Sequence, residues 1–248
     1  MKKRDWLAPA LTFGAFALLA IAERKRPLRR RVARELPRAA VNLAMASASA
    51  AVTAMLNGPV VETTLRRTER EKLGLLHALP LGDTTRVVAG VLLLDYTLWW
   101  WHFFNHRNPL LWQYHGVHHA DRDLDVTTAA RFHFGEMALS NFWRAAQIRL
   151  LGIDRRALTI WQRTLLVSIL FHHSNLRLPE RFERVLDNVV VTPRMHGIHH
   201  SEVASETDSN WSSLLSWWDW LHGTMNLDVP QDEITIGLPP MKVLSAED

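Results

Sequence analysis

Two five-residue words constrain this chain more than anything else in it: His115-Gly116-Val117-His118-His119 and His196-Gly197-Ile198-His199-His200. Each presents histidines at i, i+3 and i+4. Positions four apart share one face of a helix, so their imidazoles can reach one ion. An i,i+4 pair, His102 and His106, precedes the first word, and His172-His173 precedes the second. Twelve of the 13 histidines fall between His102 and His222; the other, His77, reads as an ordinary surface or interfacial histidine. A buried histidine costs desolvation and needs a partner for each ring nitrogen. Packing alone does not explain such a repeat, and metal binding does.

With no cysteine, thiolate zinc sites, iron–sulfur clusters and disulfides are excluded. Any metal must rest on histidine, with oxygen ligands at most beside it. One tetrahedral zinc uses three or four ligands, so nine or ten clustered histidines point to two ions. Imidazole suits zinc, copper, iron and nickel. No glutamate has a histidine three residues on, so the Glu-x-x-His pairs of soluble di-iron bundles are missing. His-Glu-x-x-His, Gly-x-Ser-x-Gly, Gly-x-Gly-x-x-Gly and the phosphate-loop motif are absent too.

The net charge of +4 hides an asymmetry. Residues 1–35 hold ten basic side chains and three acids, a local excess of seven, which leaves the remainder at about minus three. These basic residues flank the uncharged stretch 6–22, and a second uncharged stretch runs over 39–61. Basic clusters beside apolar segments set membrane orientation; a nucleic-acid arm is the weaker reading, and no nucleic-acid partner is expected. Residues 6–22 predict an uncleaved helix, because Glu-Arg-Lys-Arg follows where a signal peptide would have small residues. Residues 39–61 predict a spanning helix, rich in Ala and Ser, broken near its end at Asn57-Gly58-Pro59. A third apolar run covers 87–104 and ends in Trp99-Trp100-Trp101, a block suited to a membrane–water interface. Residues 157–171 predict a spanning or interfacial helix, residues 137–153 an amphipathic surface helix, and the tail from Leu227 a loop-rich cover with room for one strand.

The fold expected is all-α: an integral-membrane bundle of three to four spanning or interfacial helices under a cytoplasmic helical cap. Residues 1–101 form the N-terminal membrane part, 102–226 the histidine-bearing part and 227–248 the tail. The densest basic loop, 23–38, is placed in the cytoplasm. The second helix then exits and the third returns, which puts His102 and all that follows on the cytoplasmic side.

The order H-x3-H, H-x2-H-H, Arg131-x-His133, His173-Ser174-Asn175, H-x2-H-H, Asn210 and Trp218-Asp219-x-x-His222-Gly223-Thr224 resembles the fatty acid hydroxylase / sterol desaturase superfamily. The likeness runs from about Asp95 to Thr224 and includes Leu111-Trp112-Gln113-Tyr114 before the first word. It departs in two places: His133 is followed by Phe134 rather than proline, and His222 stands where the family has phenylalanine. The resemblance implies a membrane-bound di-iron oxygenase, in the bacterial inner membrane or endoplasmic reticulum. Such an enzyme hydroxylates or desaturates a lipid C–H position with O2 and electrons from a ferredoxin- or cytochrome b5-type donor. It implies metal positions at His102, His106, His115, His118, His119, His133, His173, His196, His199 and His200, with His172 competing against His173. It implies two iron ions, with zinc as a substitute in purified protein. Asn175, Asn210, Asp219, Glu136 and His222 match positions that would hold an imidazole's outer nitrogen. A zinc-dependent hydrolase and a non-catalytic metal-binding membrane protein are the competing readings.

Overall fold

A computed structural model describes residues 7–238. The basic flank at Lys2, Lys3 and Arg4, Trp6, and the end of the tail lie outside the described residues.

The apolar stretches become helices because nothing interrupts their hydrogen-bond ladders until a capping residue appears. Helix α1 covers Leu7–Lys25, α2 Glu35–Leu56, α3 Thr63–Glu71, α4 Leu75–Ala78, α5 Asp83–Arg107 and α6 Pro109–His119. The chain continues through α7 Phe134–Leu151, α8 Arg155–His173, α9 Glu180–Leu186, α10 Pro193–His199, α11 Ala204–Thr207 and α12 Trp217–His222. Among the described residues there is no strand, only three isolated bridges. Within the described part of the tail, the bridge from Ile236 to Ser201 stands where the sequence leaves room for a strand.

Helices α6 and α10, which carry the two repeated words, begin on strong caps. Asn108 accepts from Leu110 N (2.9 Å) with Pro109 next to it. Thr192 accepts from Met195 N (3.3 Å) with Pro193 next to it. Proline at the first helical position loses nothing, since its missing N–H would have no partner there.

The expected break at Asn57-Gly58-Pro59 does not occur. Asn57–Glu62 forms a π turn that carries α2 into α3. Pro59 has no N–H to give to a carbonyl four residues back; widening the ring absorbs that loss. Thr63 and Thr64 hydroxyls then donate to Gly58 O (3.0 Å) and Val60 O (2.7 Å).

The apolar core lies where α5, α7 and α8 meet, around Leu94, Ile148, Ile153, Leu158 and Trp161. A smaller cluster joins Phe16 and Leu19 of α1 to Leu170 and Val126. The Glu23 carboxylate pins the end of α1 to the cap, accepting from Asn175 N (2.9 Å) and Val126 N (3.1 Å).

Two helical stretches, Glu35–Ala78 and Asp83–Arg107, are long and apolar enough to cross a membrane. Only 11% of the apolar window of the first is buried in the protein. Leu36, Leu43 and Met55 of α2 are exposed, while its buried residues are Arg38, Asn42 and Ser49. This helix is polar inside and apolar outside, the reverse of a helix on a water-soluble domain. The Trp99-Trp100-Trp101 block splits: Trp99 is buried and donates to Asp219 (3.0 Å), and its two neighbours are half-buried. The helical period turns Trp99 toward the cap, which a run of three identical residues does not reveal.

Replacing Leu94 by alanine is expected to cost about 2–5 kcal/mol, because it opens a cavity in the core. Replacing Met55, equally apolar but outward-facing, should stay within about 0.5 kcal/mol. Reversible unfolding in detergent measures both.

Candidate metal centre

The structure brings nine histidines into two adjacent groups. His102, His106, His115, His119 and His199 form the first; His118, His173, His196 and His200 form the second. In each group one nitrogen per ring lies within 4.8 Å of all the others. The two repeated words divide in opposite senses. His115 and His119, the i and i+4 positions of the first word, serve the first group, and His118 the second. In the second word His196 and His200 serve the second group, and His199 the first. Both words therefore bridge both groups.

Outer hydrogen bonds fix which nitrogen of each ring faces inward. A carbonyl can only accept, so a ring nitrogen bonded to one carries the proton. His102 Nδ1 donates to Trp211 O (2.7 Å), His199 Nδ1 to Ser209 O (2.7 Å), His118 Nδ1 to Arg131 O (3.1 Å) and His173 Nδ1 to Ile169 O (2.8 Å). His115 Nδ1 faces the Glu136 carboxylate at 3.0 Å. In these neutral rings Nε2 is a bare lone pair.

The second group makes the consequence plain. His118 and His173 Nε2 stand 3.0 Å apart, His173 and His196 Nε2 3.1 Å, and His196 and His200 Nε2 3.1 Å. Between His118 and His173 both nitrogens are acceptors, so the contact repels unless a cation lies between them. Protons are a poor answer. Burial pushes His173 down to about 4 and His199 to about 3, and His118, His119, His196 and His200 also fall well below the usual imidazole range. A divalent ion is a good answer. An imidazole nitrogen sits about 2.0–2.1 Å from such an ion, so two ligands at a right angle lie about 2.9 Å apart. In the first group the Nε2 atoms of His106, His115, His119 and His199 are buried without any partner. Orphaned buried nitrogens at this density fit a metal centre.

The glycine of each word admits a neighbour. A Cβ on Gly197 would overlap the guanidinium of Arg29, which donates to Pro193 O (3.3 Å) and Gln231 Oε1 (2.5 Å). A Cβ on Gly116 would press on the Trp112 ring at 3.3 Å.

The remaining expected positions fall outside both groups. His133 caps α7, accepting from Gly135 N (3.0 Å), and stacks on Tyr114. The chain enters a helix at Phe134, and the His133 ring turns back on the helix start. His172 packs on His196 at 4.1 Å between ring centroids, so of the adjacent pair it is His173 that joins the group. His222 stacks on Trp99 at 4.0 Å.

Of the positions expected to hold outer nitrogens, Glu136 touches a histidine. Asp219 acts one step further out, accepting from Trp211 N (3.0 Å) and Ser212 N (2.9 Å) and so holding the strand of backbone that His102 bonds. Asn210, at φ 54°, donates to Met195 O (2.9 Å) and Asn226 O (2.7 Å), and steadies the start of α10. Asn175 bonds the backbone of Arg29 in both directions at 2.9 Å. The backbone acceptors at Trp211, Ser209, Arg131 and Ile169 carry no side-chain signal, and the sequence reading missed them. A cavity of about 150 Å³, lined by His106, Trp112, Ala204, Thr207, Asp208, Gly237 and Leu238, reaches the first group from outside.

Residues 87–224 match the fatty acid hydroxylase family. The chain belongs to that family. Its relatives include ornithine lipid hydroxylase OlsE of Rhizobium tropici, 30% identical over 62% of this chain and 45% of the relative. Alkylglycerol monooxygenase of Xenopus tropicalis is 28% identical over 56% of this chain and 30% of its own length. Very-long-chain aldehyde decarbonylase GL1-8 of Oryza sativa subsp. indica is 28% identical over 61% and 58%. The chain thus matches less than two thirds of the length of each. No solved structure matches it.

Two outcomes follow for the family's histidine centre in this chain. In metal-free protein the buried rings stay neutral while the unfolded chain takes up protons below about pH 6.5. Stability is therefore full above about pH 6.5 and is expected to fall as the pH drops toward 4 and 3, the values of His173 and His199. Denaturant midpoints across that range measure it. Glu136→Gln removes the charge behind His115 and should weaken metal binding about ten- to a hundred-fold, read by calorimetric titration with zinc.

Proposed function

We propose that the protein is a membrane-bound, O2-dependent non-haem oxygenase that hydroxylates or desaturates an unactivated C–H position of a lipid. Two iron ions, one per histidine group, would serve it, with zinc as a substitute in purified material. Electrons would come from a ferredoxin- or cytochrome b5-type donor. The observation that carries this reading is the convergence of nine imidazoles, eight of them buried, whose inner nitrogens face one another in two sets.

Bound iron supplies O2 activation, which no side chain can perform. His102, His106, His115, His119 and His199 would hold one ion, and His118, His173, His196 and His200 the other. The protein's own part is geometry. The carbonyls of Trp211, Ser209, Arg131 and Ile169 keep the ring protons on Nδ1 and leave Nε2 free. Glu136 adds negative charge behind His115. Burial keeps water from the rings, so a reactive centre meets substrate rather than solvent.

The lipid character of the substrate is supported by the outward apolar faces of α2 and α5 and by the relatives named for lipid hydroxylation. A cytoplasmic site is supported by the basic loop. Leu28 N donates to Asn175 O (2.8 Å) and Arg29 lies on Gly197, so the loop and the histidine cap share one side. Positive loops face the cytoplasm. We place the division between membrane part and histidine part near residue 101, with the tail from 227.

Detergent-purified protein expressed with ample iron should hold about two iron per chain, the number a paired carrier site requires. Lipids of cells making the protein should gain an oxygen atom, or lose two hydrogens, only when O2 and reductant are present. One zinc per chain with oxygen-independent turnover would overturn the reading in favour of a hydrolase.

A further inference from the structure

The three buried side chains of α2 are all polar, and all three end on the same segment of the cap, residues 121–132. Arg38 donates to Asp121 Oδ2 (2.8 Å) and to Thr128 Oγ1 (3.3 Å) and pairs with Asp125. Asn42 donates to Asp121 Oδ2 and Thr127 Oγ1, both at 3.0 Å, and accepts from Arg131 Nη1 at 2.9 Å. Ser49 donates to Phe132 O at 2.7 Å.

That segment is what holds His118. Its Nδ1 proton goes to Arg131 O (3.1 Å), and its ring stacks on Phe132 at 4.5 Å with 9° between planes. Arg131 Nε also donates to Val117 O (2.9 Å), tying the segment to the helix that carries His118. The hydrogen bond and the stacking plane of this ring are thus each set by a residue that α2 grips, Arg131 by Asn42 and Phe132 by Ser49.

The first group depends on other partners. His102 bonds Trp211 O, His115 bonds Glu136 and His199 bonds Ser209 O, and none of these acceptors touches α2 in the hydrogen bonds described. The second group draws one ligand from α6, His118, and the other three from α8, α10 and the residue after it.

We propose that Asn42 and Ser49, on a helix long and apolar enough to span the membrane, are positioning residues for the second metal position. They fix the proton and the plane of His118 through Arg131 and Phe132, so that this position is fully built only while α2 is docked on the cap. Neither residue touches the metal. The inference rests on the metal-binding reading of the two histidine groups and adds that one of them is under the control of a membrane helix. Its physical basis is that groups behind a ligating imidazole set its tautomer and direction, and that losing them weakens metal binding.

The test is chelator competition on full-length, detergent-purified protein loaded with cobalt, whose absorption reports ligand geometry. Wild type should release cobalt in two phases, one per group. Asn42→Leu should leave one phase in place and speed or weaken the other about ten- to a hundred-fold, with a changed absorption band for the affected ion. Ser49→Ala, a smaller cut, should act on the same phase and less strongly. The melting temperature of the metal-free variants separates positioning from misfolding: Ser49→Ala should melt with wild type. Both phases shifting together, or neither shifting in a variant that melts with wild type, overturns the inference. Wild type that binds no cobalt overturns the metal-binding reading itself, a different outcome.

Discussion

The structure depends on a repulsion that the chain sets up and cannot relieve by itself. Nine imidazoles converge, eight of them buried and His106 half-buried, and carbonyls or a carboxylate behind five of them turn bare lone pairs toward their neighbours. Burial makes protonation costly at His118, His173 and His199. What remains is a cavity of negative potential that only a cation satisfies. The rest of the fold can be read as the framework that keeps these rings from turning away: capped helix starts at Asn108 and Thr192, a tight approach at Gly197, and a web of backbone acceptors.

This framework explains the inverted polarity of the molecule. The groups that hold the rings are themselves polar and must be buried with partners. Arg38, Asn42, Asp121, Asp125 and Asp219 therefore lie inside, where a water-soluble protein would keep leucine and valine. Apolar side chains gather in the core around Leu94 and Trp161 and on the outer faces of α2 and α5. A bilayer tolerates that exterior and water does not. Lipid outside and polar scaffold inside are two sides of one requirement.

Much of this was legible in the chain, and the limits have physical reasons. Histidine spacing reveals which residues share a helix face, so the words at 115–119 and 196–200 announced a site. It does not reveal where a ring goes when the next residue changes the local turn, and His133 became a helix cap. Asp219 and Asn175 were marked as polar residues of the site, yet both act on backbone that lies behind it. Composition marks residues 39–61 as a spanning helix but not the direction of its sparse polar residues: Arg38 looks like flanking charge and Asn42 like a lone polar residue until α2 meets residues 121–132. Asn57-Gly58-Pro59 read as a break, since sequence signals register the missing proline donor and not the π turn that absorbs it.

The swapped division of the two words has a consequence for how the centre behaves as a unit. Were each word to serve a single group, either position could shift with its helix and leave the other intact. Instead α6 gives two rings to the first group and one to the second, and the second word, on α10 and the residue after it, does the reverse. A rotation of either helix by a few degrees moves ligands in both positions at once, in related directions. The two positions are thus linked through the helix axes, the first held against α5 through His102 and His106 and the second against α8 through His173, while the outer partner of a single ring, as at His118, still acts on one position. The glycines fit this arrangement: Trp112 lies on one word and Arg29 on the other, each pressed against helix backbone where no side chain intervenes. Ligand sets that share their helices in this way suit two positions that must face the same small molecule, and two unrelated structural sites would have no use for the exchange.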